Sequence, residues 1–313
     1  AQLGKAQLVL LLELLVVLLP TSKAENSVST TVAAVAPART SFLAPLPRTT
    51  TAPRTTALPR RQPHTRWIEG TWTTGYWDCC KPSCAWPGKG KVDRPVLACH
   101  AGTEEVLTDS GVRSVCDGGR AASCRSHQPF LKHKNLAFGF AAAGVSGSHG
   151  LTGDENCGQC YELRFVDKKH DGGVWGGAHN RLVNKTMIVQ VTNIGEDVTG
   201  AHSFDIQIPG AGQGIFSSGC AAQYPGFSTG DFDCDNRYGG CHSKDGCSRL
   251  PAALQPGCHW RYEWFHWLRS GGQTNNPWVK FRRVRCPRAL TDISGSTPLD
   301  DHLFHTVEPD QYF

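Results

Sequence analysis

Fourteen cysteines, all between Cys79 and Cys286, constrain the fold of this 313-residue chain more than any other feature. So many cysteines indicate disulfides. Disulfides persist in an oxidising compartment, whereas the cytosol keeps thiols reduced. Zinc modules are the alternative, but they repeat short pairs of ligands. Only Cys157 and Cys160 have the Cys-x2-Cys spacing, and no second pair matches theirs. The fourteen cysteines therefore predict seven disulfides, with a connectivity that the sequence does not define.

The first 66 residues differ in character from the rest. An apolar run over residues 8–19, interrupted by Glu13, precedes small residues and predicts a signal peptide over residues 1–24. The run is shorter than the ~20 residues that a membrane span requires. Residues 25–66 are rich in Thr, Ser, Pro and Arg and contain neither Cys nor Trp, which predicts a disordered, linker-like segment. We therefore expect a secreted, extracellular protein with no membrane association after signal removal.

The charge is distributed unevenly along the chain. The net charge is +5, but residues 1–66 hold eight Lys or Arg and only two Asp or Glu. Of the 32 basic and 27 acidic residues in the chain, 24 and 25 therefore remain for residues 67–313. A nucleic-acid-binding domain would carry a basic stripe of its own. The near-neutral balance argues against such a partner and favours an uncharged substrate.

Short segments with apolar side chains at alternate positions predict half-buried strands in a catalytic domain over residues 67–290. Gly and Pro punctuate these segments, and one short helix is expected near residues 248–254. The remaining residues, 291–313, are expected to form a C-terminal tail. The predicted strands cover residues 136–140, 161–165, 187–191, 204–208, 260–264 and 279–281.

Two aspartates stand in unusual surroundings. Asp78 precedes paired cysteines and shares a strand face with Tyr76, an arrangement that suits a sugar site because an aromatic ring stacks on a pyranose. Asp205 is flanked by Phe204 and Ile206, and partial desolvation of a carboxyl raises its pKa, which suits a general acid. Each residue taken alone fits an ordinary surface Asp equally well.

Together the two segments resemble a known enzyme family. The Tyr-Trp-Asp-Cys-Cys-Lys-Pro-Ser-Cys run over residues 76–84 resembles the signature of glycoside hydrolase family 45. The Phe-Asp-Ile-x-Ile-Pro-Gly run over residues 204–210 resembles its second catalytic segment, and the match extends in the family's order over residues 74–287. The resemblance implies a mainly β fold, a six-stranded double-psi β-barrel with long disulfide-bonded loops and a few short helices. It also implies a monomeric endo-β-1,4-glucanase (a cellulase) that needs neither metal nor cofactor.

The resemblance assigns roles by position. Asp78 matches the general base and Asp205 the general acid of an inverting pair, whose carboxyl groups stand roughly 6.5–9.5 Å apart to admit a water. Asp197 matches an auxiliary acidic residue, with Glu196 as its rival, because the spacing to Asp205 differs by one residue. Four positions match groove residues that contact the β-1,4-glucan: Thr74, Tyr76, Trp86 and Tyr238. Without the resemblance, core packing would be the simpler interpretation of Trp86 and Tyr238.

Two non-hydrolytic proteins of the same barrel type are the alternatives. Expansin-like proteins loosen walls by binding glucan, and barwin-like proteins are defence lectins. Both generally lack the segment around Asp78, which this chain retains in full. Two departures from the family pattern are Gly75, where Arg is frequent, and a long Gly-, His- and Asn-rich stretch over residues 167–185. An Asn-x-Thr glycosylation sequon, the only Asn-x-Ser/Thr sequence in the chain, begins at Asn184.

Overall fold

The computed structural model of this chain describes residues 65–144, 153–168, 179–195, 198, 202–266 and 276–308. The predicted signal peptide and nearly all of the linker-like segment lie outside these ranges. So do Glu196 and Asp197, the two candidates for the auxiliary acidic residue. None of the helices in the described ranges has the length and apolar character needed to cross a membrane.

Six strands form a closed ring. Strand β1 pairs with β8 and β9, β9 with β6, β6 with β7, β7 with β5, and β5 with β8, which closes the circle. The β1–β8 and β5–β7 pairs are parallel and the other ring pairs are antiparallel. In the described ranges the strands are β1 Ile68–Tyr76, β2 Cys99–His100, β3 Ala121–Ala122, β4 Phe130–His133, β5 Leu136–Gly144, β6 Cys160–Phe165, β7 Thr186–Gly195, β8 His202–Gln207 and β9 Trp278–Val284. The predicted mainly β, six-stranded fold is confirmed.

Residue patterns explain the core. In β9 the apolar residues Val279 and Phe281 are buried and their neighbours half-buried, the alternation of a strand with one face inward. Every residue of β5 is buried, because this strand pairs with three others and is covered on both faces. Phe204 meets Phe281 edge to face at 5.1 Å between ring centroids, and Tyr161 lies 5.3 Å from Phe204. These aromatic contacts join β6, β8 and β9 through the core.

The helices are short. The described ranges contain α1 Gly219–Gln223, α2 Thr229–Asp233, α3 Gln255–Glu263 and α4 Arg288–Ser294. Short segments of 3-10 helix in these ranges cover Ser83–Ala85, Val115–Asp117, Gly153–Asn156, His179–Arg181, Lys244–Arg249, Ala252–Leu254 and Asp301–Leu303. The short helix predicted near residues 248–254 corresponds to the end of one 3-10 segment and the whole of the next, directly before α3.

The strand predicted over residues 260–264 is wrong, because most of this segment is helix α3. Pro256 stands in the first helical turn, where its missing N–H costs nothing. Trp260 and Trp264 stack one turn apart, at 5.2 Å between centroids. Arg261 is also buried and donates hydrogen bonds to three backbone carbonyl groups. Trp260, Arg261 and Tyr262 are all buried, so the alternation of apolar and polar residues in this segment did not correspond to an inward and an outward face.

All fourteen cysteines are paired, which confirms the prediction of seven disulfides. Two adjacent cysteines after Asp78 reach different partners, so this part of the chain is held from two directions. The seven pairs are Cys79–Cys220, Cys80–Cys116, Cys84–Cys157, Cys99–Cys124, Cys160–Cys286, Cys234–Cys241 and Cys247–Cys258.

The stretch that was expected to be a tail after residue 290 packs on the domain as far as it is described. Helix α4 continues to Ser294, which is buried. Asp301 accepts a hydrogen bond from the Cys286 N–H at 2.8 Å, and Pro298 forms a β-bridge with Val92. The folded domain therefore extends beyond the boundary drawn from the sequence.

Candidate active site

An open cleft of about 490 Å³ lies where β1, β7 and β8 meet the loops around them. The parallel register of β1 and β8 sets Thr74 beside Asp205, and Asp78 follows two residues after the end of β1. All the predicted site residues that the structure describes line this one cleft: Thr74, Tyr76, Asp78, Trp86, Asp205 and Tyr238. The structure thus brings together residues that are up to 164 positions apart in the sequence.

The backbone around Asp78 is fixed by covalent and close contacts. Asp78 is followed by Cys79 and Cys80, whose disulfides reach different parts of the chain. Cys79 has a φ of 63°, a left-handed conformation that the surrounding structure must hold for a residue with a side chain. The carboxylate accepts a hydrogen bond from the Cys80 N–H at 3.0 Å. Gly219 packs so closely that a Cβ there would lie 2.6 Å from the Asp78 carbonyl oxygen.

Asp205 is held instead by strand pairing. Phe204 and Ile206 are fully buried, so the alternation of β8 directs Asp205 to the opposite side, where it is half-buried at the cleft. Its backbone lies between Thr74 on β1 and Ala142 on β5. The small Ala142 side chain lines the cleft beside it.

Asn193 is a cleft residue that the sequence did not reveal. Its side-chain amide donates a hydrogen bond to the Tyr76 hydroxyl at 3.1 Å and accepts one from the Ser83 N–H at 2.8 Å. The Ser83 hydroxyl in turn accepts a hydrogen bond from the Ile194 N–H at 2.7 Å. Asn193 thereby joins β1 to the turn that leads to Trp86. A register shift between β5 and β7 immediately before the Ala142–Asn193 pair sets its position.

Trp86 rests on a lysine. The Lys81 ammonium lies 3.2 Å from the centroid of the Trp86 ring, in a cation–π contact. The same ammonium donates hydrogen bonds to the carbonyl oxygens of Ser110 and Val112 at 2.7 and 2.8 Å. Burial lowers the pKa of Lys81 to about 8, against the opposing effect of the Asp109 charge. Lys81 belongs to the signature run, but its contact with Trp86 depends on folding of the intervening turn.

Exposed apolar side chains form another part of the cleft wall. Tyr238 is 65% exposed, and Ile215 and Phe216 are each 47% exposed, although all three line the cleft. Arg237 ties this wall together by donating hydrogen bonds to the carbonyl oxygens of Gly214 and Ile215. Large apolar groups left open to solvent at a cleft are typical of binding surfaces. Ile215 and Phe216 belong to the matched family segment, yet no pattern in the sequence predicted that their side chains would be exposed.

The arrangement combines two carboxyl groups and several aromatic rings in one open cleft. Paired carboxyl groups that flank a glycosidic bond are the machinery of most glycoside hydrolases. Among the described residues, no group of three or more His, Cys, Asp or Glu side chains is placed to hold a metal ion. The cleft therefore contains the residue types that acid–base chemistry on a carbohydrate chain requires.

Comparison with known proteins agrees with this geometry. The sequence model of glycosyl hydrolase family 45 matches residues 70–297. The chain belongs to this family. The resemblance inferred from the signature run is thereby confirmed, and the matched region contains every predicted site residue.

Individual relatives support the family assignment. An endoglucanase of Cryptopygus antarcticus is 42% identical over 222 residues, which cover 71% of this chain and 86% of that protein. A putative endoglucanase type K of Fusarium oxysporum is 38% identical over 238 residues, 76% of this chain and 56% of that protein. The crystal structure of a cellulase from the Antarctic springtail Cryptopygus antarcticus superposes with a TM-score of 0.61 at 39% identity. It covers 74% of this chain and 98% of that one.

Proposed function

We propose that this family 45 protein is a secreted endo-β-1,4-glucanase that hydrolyses internal bonds of cellulose-type chains with inversion at the anomeric carbon. One observation carries the proposal: Asp78 and Asp205, the two residues matched to the catalytic pair, line the same open cleft. Relatives that share 37–42% identity with the chain are named endoglucanases. A near-neutral domain also suits an uncharged polysaccharide better than a charged polymer.

In this mechanism Asp205 donates its proton to the glycosidic oxygen that leaves. Asp78 removes a proton from a water molecule, which attacks the anomeric carbon from the opposite face of the ring. The Cys80 N–H orients the Asp78 carboxylate, and strand pairing on both sides fixes the backbone of Asp205. The next residue of β8, Ile206, is part of the apolar core, so core packing also holds the backbone that carries the acid.

Aromatic and hydroxyl groups along the cleft would hold the glucan. Trp86, supported from beneath by Lys81, is a platform for one sugar ring, and Tyr238 offers a second aromatic surface. Tyr76 is fixed by Asn193 close to the base, and Thr74 stands beside the acid. An open cleft, unlike an enclosed pocket, admits a chain from the side, which is what cleavage at internal bonds requires.

The disulfides and the N-terminal pattern support the proposal of secretion. Seven disulfides persist in an oxidising compartment and not in the cytosol. The apolar run over residues 8–19 predicts the signal peptide that would direct the chain there. We extend the proposal to a monomer, and to Asp197 as the auxiliary acidic residue, both on the family resemblance alone.

The catalytic proposal is tested by replacing each carboxylate with its amide. We expect Asp78→Asn and Asp205→Asn to reduce the release of reducing ends from carboxymethyl cellulose at least ~10³-fold, since each removes a group that acts directly in proton transfer. Asp292→Asn is the matched control, because Asp292 forms only an exposed ion pair with Arg288 on α4. Full activity in either cleft variant would remove that residue from the mechanism.

Product stereochemistry and binding separate the remaining alternatives. Proton NMR of the first products should show the α-anomer from a β-linked glucan, and a β-anomer would contradict inversion. Glucan binding by the wild type without any release of reducing ends would instead favour the non-hydrolytic, expansin-like alternative.

A further inference from the structure

The Asn-Lys-Thr sequon begins on an exposed turn and ends at the first residue of β7. Asn184 is exposed and has a φ of 71°, a left-handed conformation that Asn adopts more readily than most residues with a side chain. The next residue, Lys185, turns inward: its ammonium donates a hydrogen bond to the Trp264 carbonyl oxygen at 2.6 Å and lies 2.9 Å from His266 Nε2. With Lys185 anchored to the domain, the Asn184 side chain stands at the surface.

The hydroxyl residue of the sequon is inaccessible in the folded domain. Thr186 is only 3% exposed and is the first residue of β7. It pairs with Leu136 of β5 and Arg164 of β6, and its N–H donates a hydrogen bond to the Asn135 carbonyl oxygen at 2.9 Å. An enzyme that reads both the Asn and the hydroxyl residue two positions later cannot reach both in this state.

We propose that Asn184 carries an N-linked oligosaccharide that is attached before β7 pairs with β5 and β6. The Asn184 side-chain nitrogen forms a bond to the anomeric carbon of a lipid-diphosphate-linked oligosaccharide, the bond from that carbon to the diphosphate oxygen breaks, and the amide proton leaves with the lipid diphosphate. The inference rests on the secretion proposed above, because that route brings the unfolded chain to both the disulfide-forming and the glycan-transferring machinery.

Strand β7 separates the glycan from the cleft. It runs from Thr186, beside the sequon, to Gly195, which lines the cleft together with Asn193 and Ile194. At ~3.3 Å per residue, a ten-residue strand spans about 30 Å. An oligosaccharide on Asn184 therefore starts at the far end of this strand. It leaves the entry of a glucan chain unobstructed.

The experiment uses the full chain, expressed in a eukaryotic secretory host. Deglycosylation with peptide N-glycosidase F in heavy-oxygen water converts a glycosylated Asn to labelled Asp, and peptide mass spectrometry then shows whether Asn184 was modified. We expect labelled Asp at position 184 in the wild type. Wild-type protein whose Asn184 is found only unmodified, in the medium and in the cells, would overturn the proposal.

Substitutions at Thr186 provide a matched pair. Thr186→Ser keeps the acceptor hydroxyl and should keep the label, whereas Thr186→Val keeps the shape of the buried side chain and should lose it. Asn184→Gln should lose the label as well. Labelling in Thr186→Val equal to that in the wild type would show that the sequon is not what directs the modification, and would overturn the proposal.

The outcome is separable from the proposed activity. Enzymatic removal of the glycan from the native wild type should leave hydrolysis of a soluble β-glucan within about twofold, because the modified end of β7 is remote from the cleft. Asp78→Asn should be inactive yet labelled at Asn184. A labelled but inactive wild type would contradict the hydrolase proposal only, and an active, secreted but unlabelled wild type would contradict the glycan proposal only.

Discussion

The backbone around Asp78 and the backbone around Asp205 are held in place by different interactions. Beside Asp78 the chain has left its strand, and two disulfides together with the close approach of Gly219 fix it. Asp205 lies within β8 and is fixed by pairing with β1 and β5. One cleft can therefore combine a carboxylate whose backbone is held by disulfides with a carboxylate whose backbone is held by sheet hydrogen bonds and core packing. The Asp78 side and the Asp205 side of the cleft should therefore respond differently to substitutions and to pH.

Among changes that leave both carboxylates in place, the largest effect is expected from crowding the Asp78 side. A methyl group at position 219 would lie 2.5 Å from the Cys116 sulfur and 2.6 Å from the Asp78 carbonyl oxygen, so Gly219→Ala must displace that backbone. We expect kcat to fall on the order of 10²-fold, because a displacement of ~1 Å at a catalytic group has a cost of this size. Activity assays at saturating substrate measure it.

Gly230→Ala is the matched control for Gly219→Ala. A Cβ at position 230 meets only the Ser228 hydroxyl, at 3.7 Å, and the residue lies in α2. This variant should keep its activity and gain slightly in stability, since Ala favours a helix more than Gly does. Equal kcat values for the two variants would contradict the view that close packing positions Asp78.

Acid should weaken the non-covalent part of the domain. His127 is fully buried against Phe140 of β5, and neither ring nitrogen has a hydrogen-bond partner among the described residues. Burial lowers the pKa of His127 to about 4. Because the unfolded chain binds the extra proton at a higher pH, this contribution to stability is complete above pH ~6.5 and is lost as the pH falls toward 4. At pH 4.5 the loss is on the order of 2 kcal/mol.

Urea unfolding at several pH values measures this loss. In the wild type the free energy of unfolding should fall between pH 6.5 and 4.5, and His127→Gln should show a smaller fall over the same range. An identical pH dependence in both proteins would mean that His127 does not determine it.

Asn193, on β7, joins the end of β1 to the turn at Ser83 through its side-chain hydrogen bonds. Asn193→Ala removes both side-chain hydrogen bonds and should lower kcat/KM about thirtyfold, at ~1 kcal/mol for each bond. Tyr76→Phe removes only the hydroxyl. If Asn193 acts through Tyr76, the double variant should lose less than the two single effects combined. Strict additivity of the two effects would refute the linkage.

The smallest effect is expected at Trp86. Lys81→Met removes the cation beneath the ring and should raise KM about threefold, the range of a partly exposed cation–π contact. Because the pKa of Lys81 is about 8, the wild-type KM should rise as the pH passes 8 and the ammonium loses its proton. The KM of Lys81→Met should lack this step. If KM rises by the same factor in both proteins, a group other than Lys81 causes the pH dependence.

Features that depend on neighbouring residues could be predicted from the sequence, whereas features that depend on distant contacts could not. The family resemblance pointed to Asp78 and Trp86, and alternation located five of the six ring strands, because both rest on short-range patterns. Helix α3 was missed because the charged Arg261 is buried between Trp260 and Tyr262, so the alternation of residue types did not reflect burial. Asn193 was missed because its partners lie 110 and 117 residues away and meet it only through the register shift in the β5–β7 pair. No residue near Asn193 in the sequence carries that information.

The pairing of β1 has a consequence for how the protein is made. Both neighbours of this strand, β8 and β9, lie more than 120 residues downstream, so β1 leaves the ribosome long before either exists. A nascent strand with two open edges is prone to non-native pairing, and such distant contacts form slowly. Cys79 must likewise wait for Cys220, 141 residues later. Asp78 and Asp205 therefore cannot come together before β8 has been made, and a chain interrupted before β8 lacks the Asp205 side of the cleft.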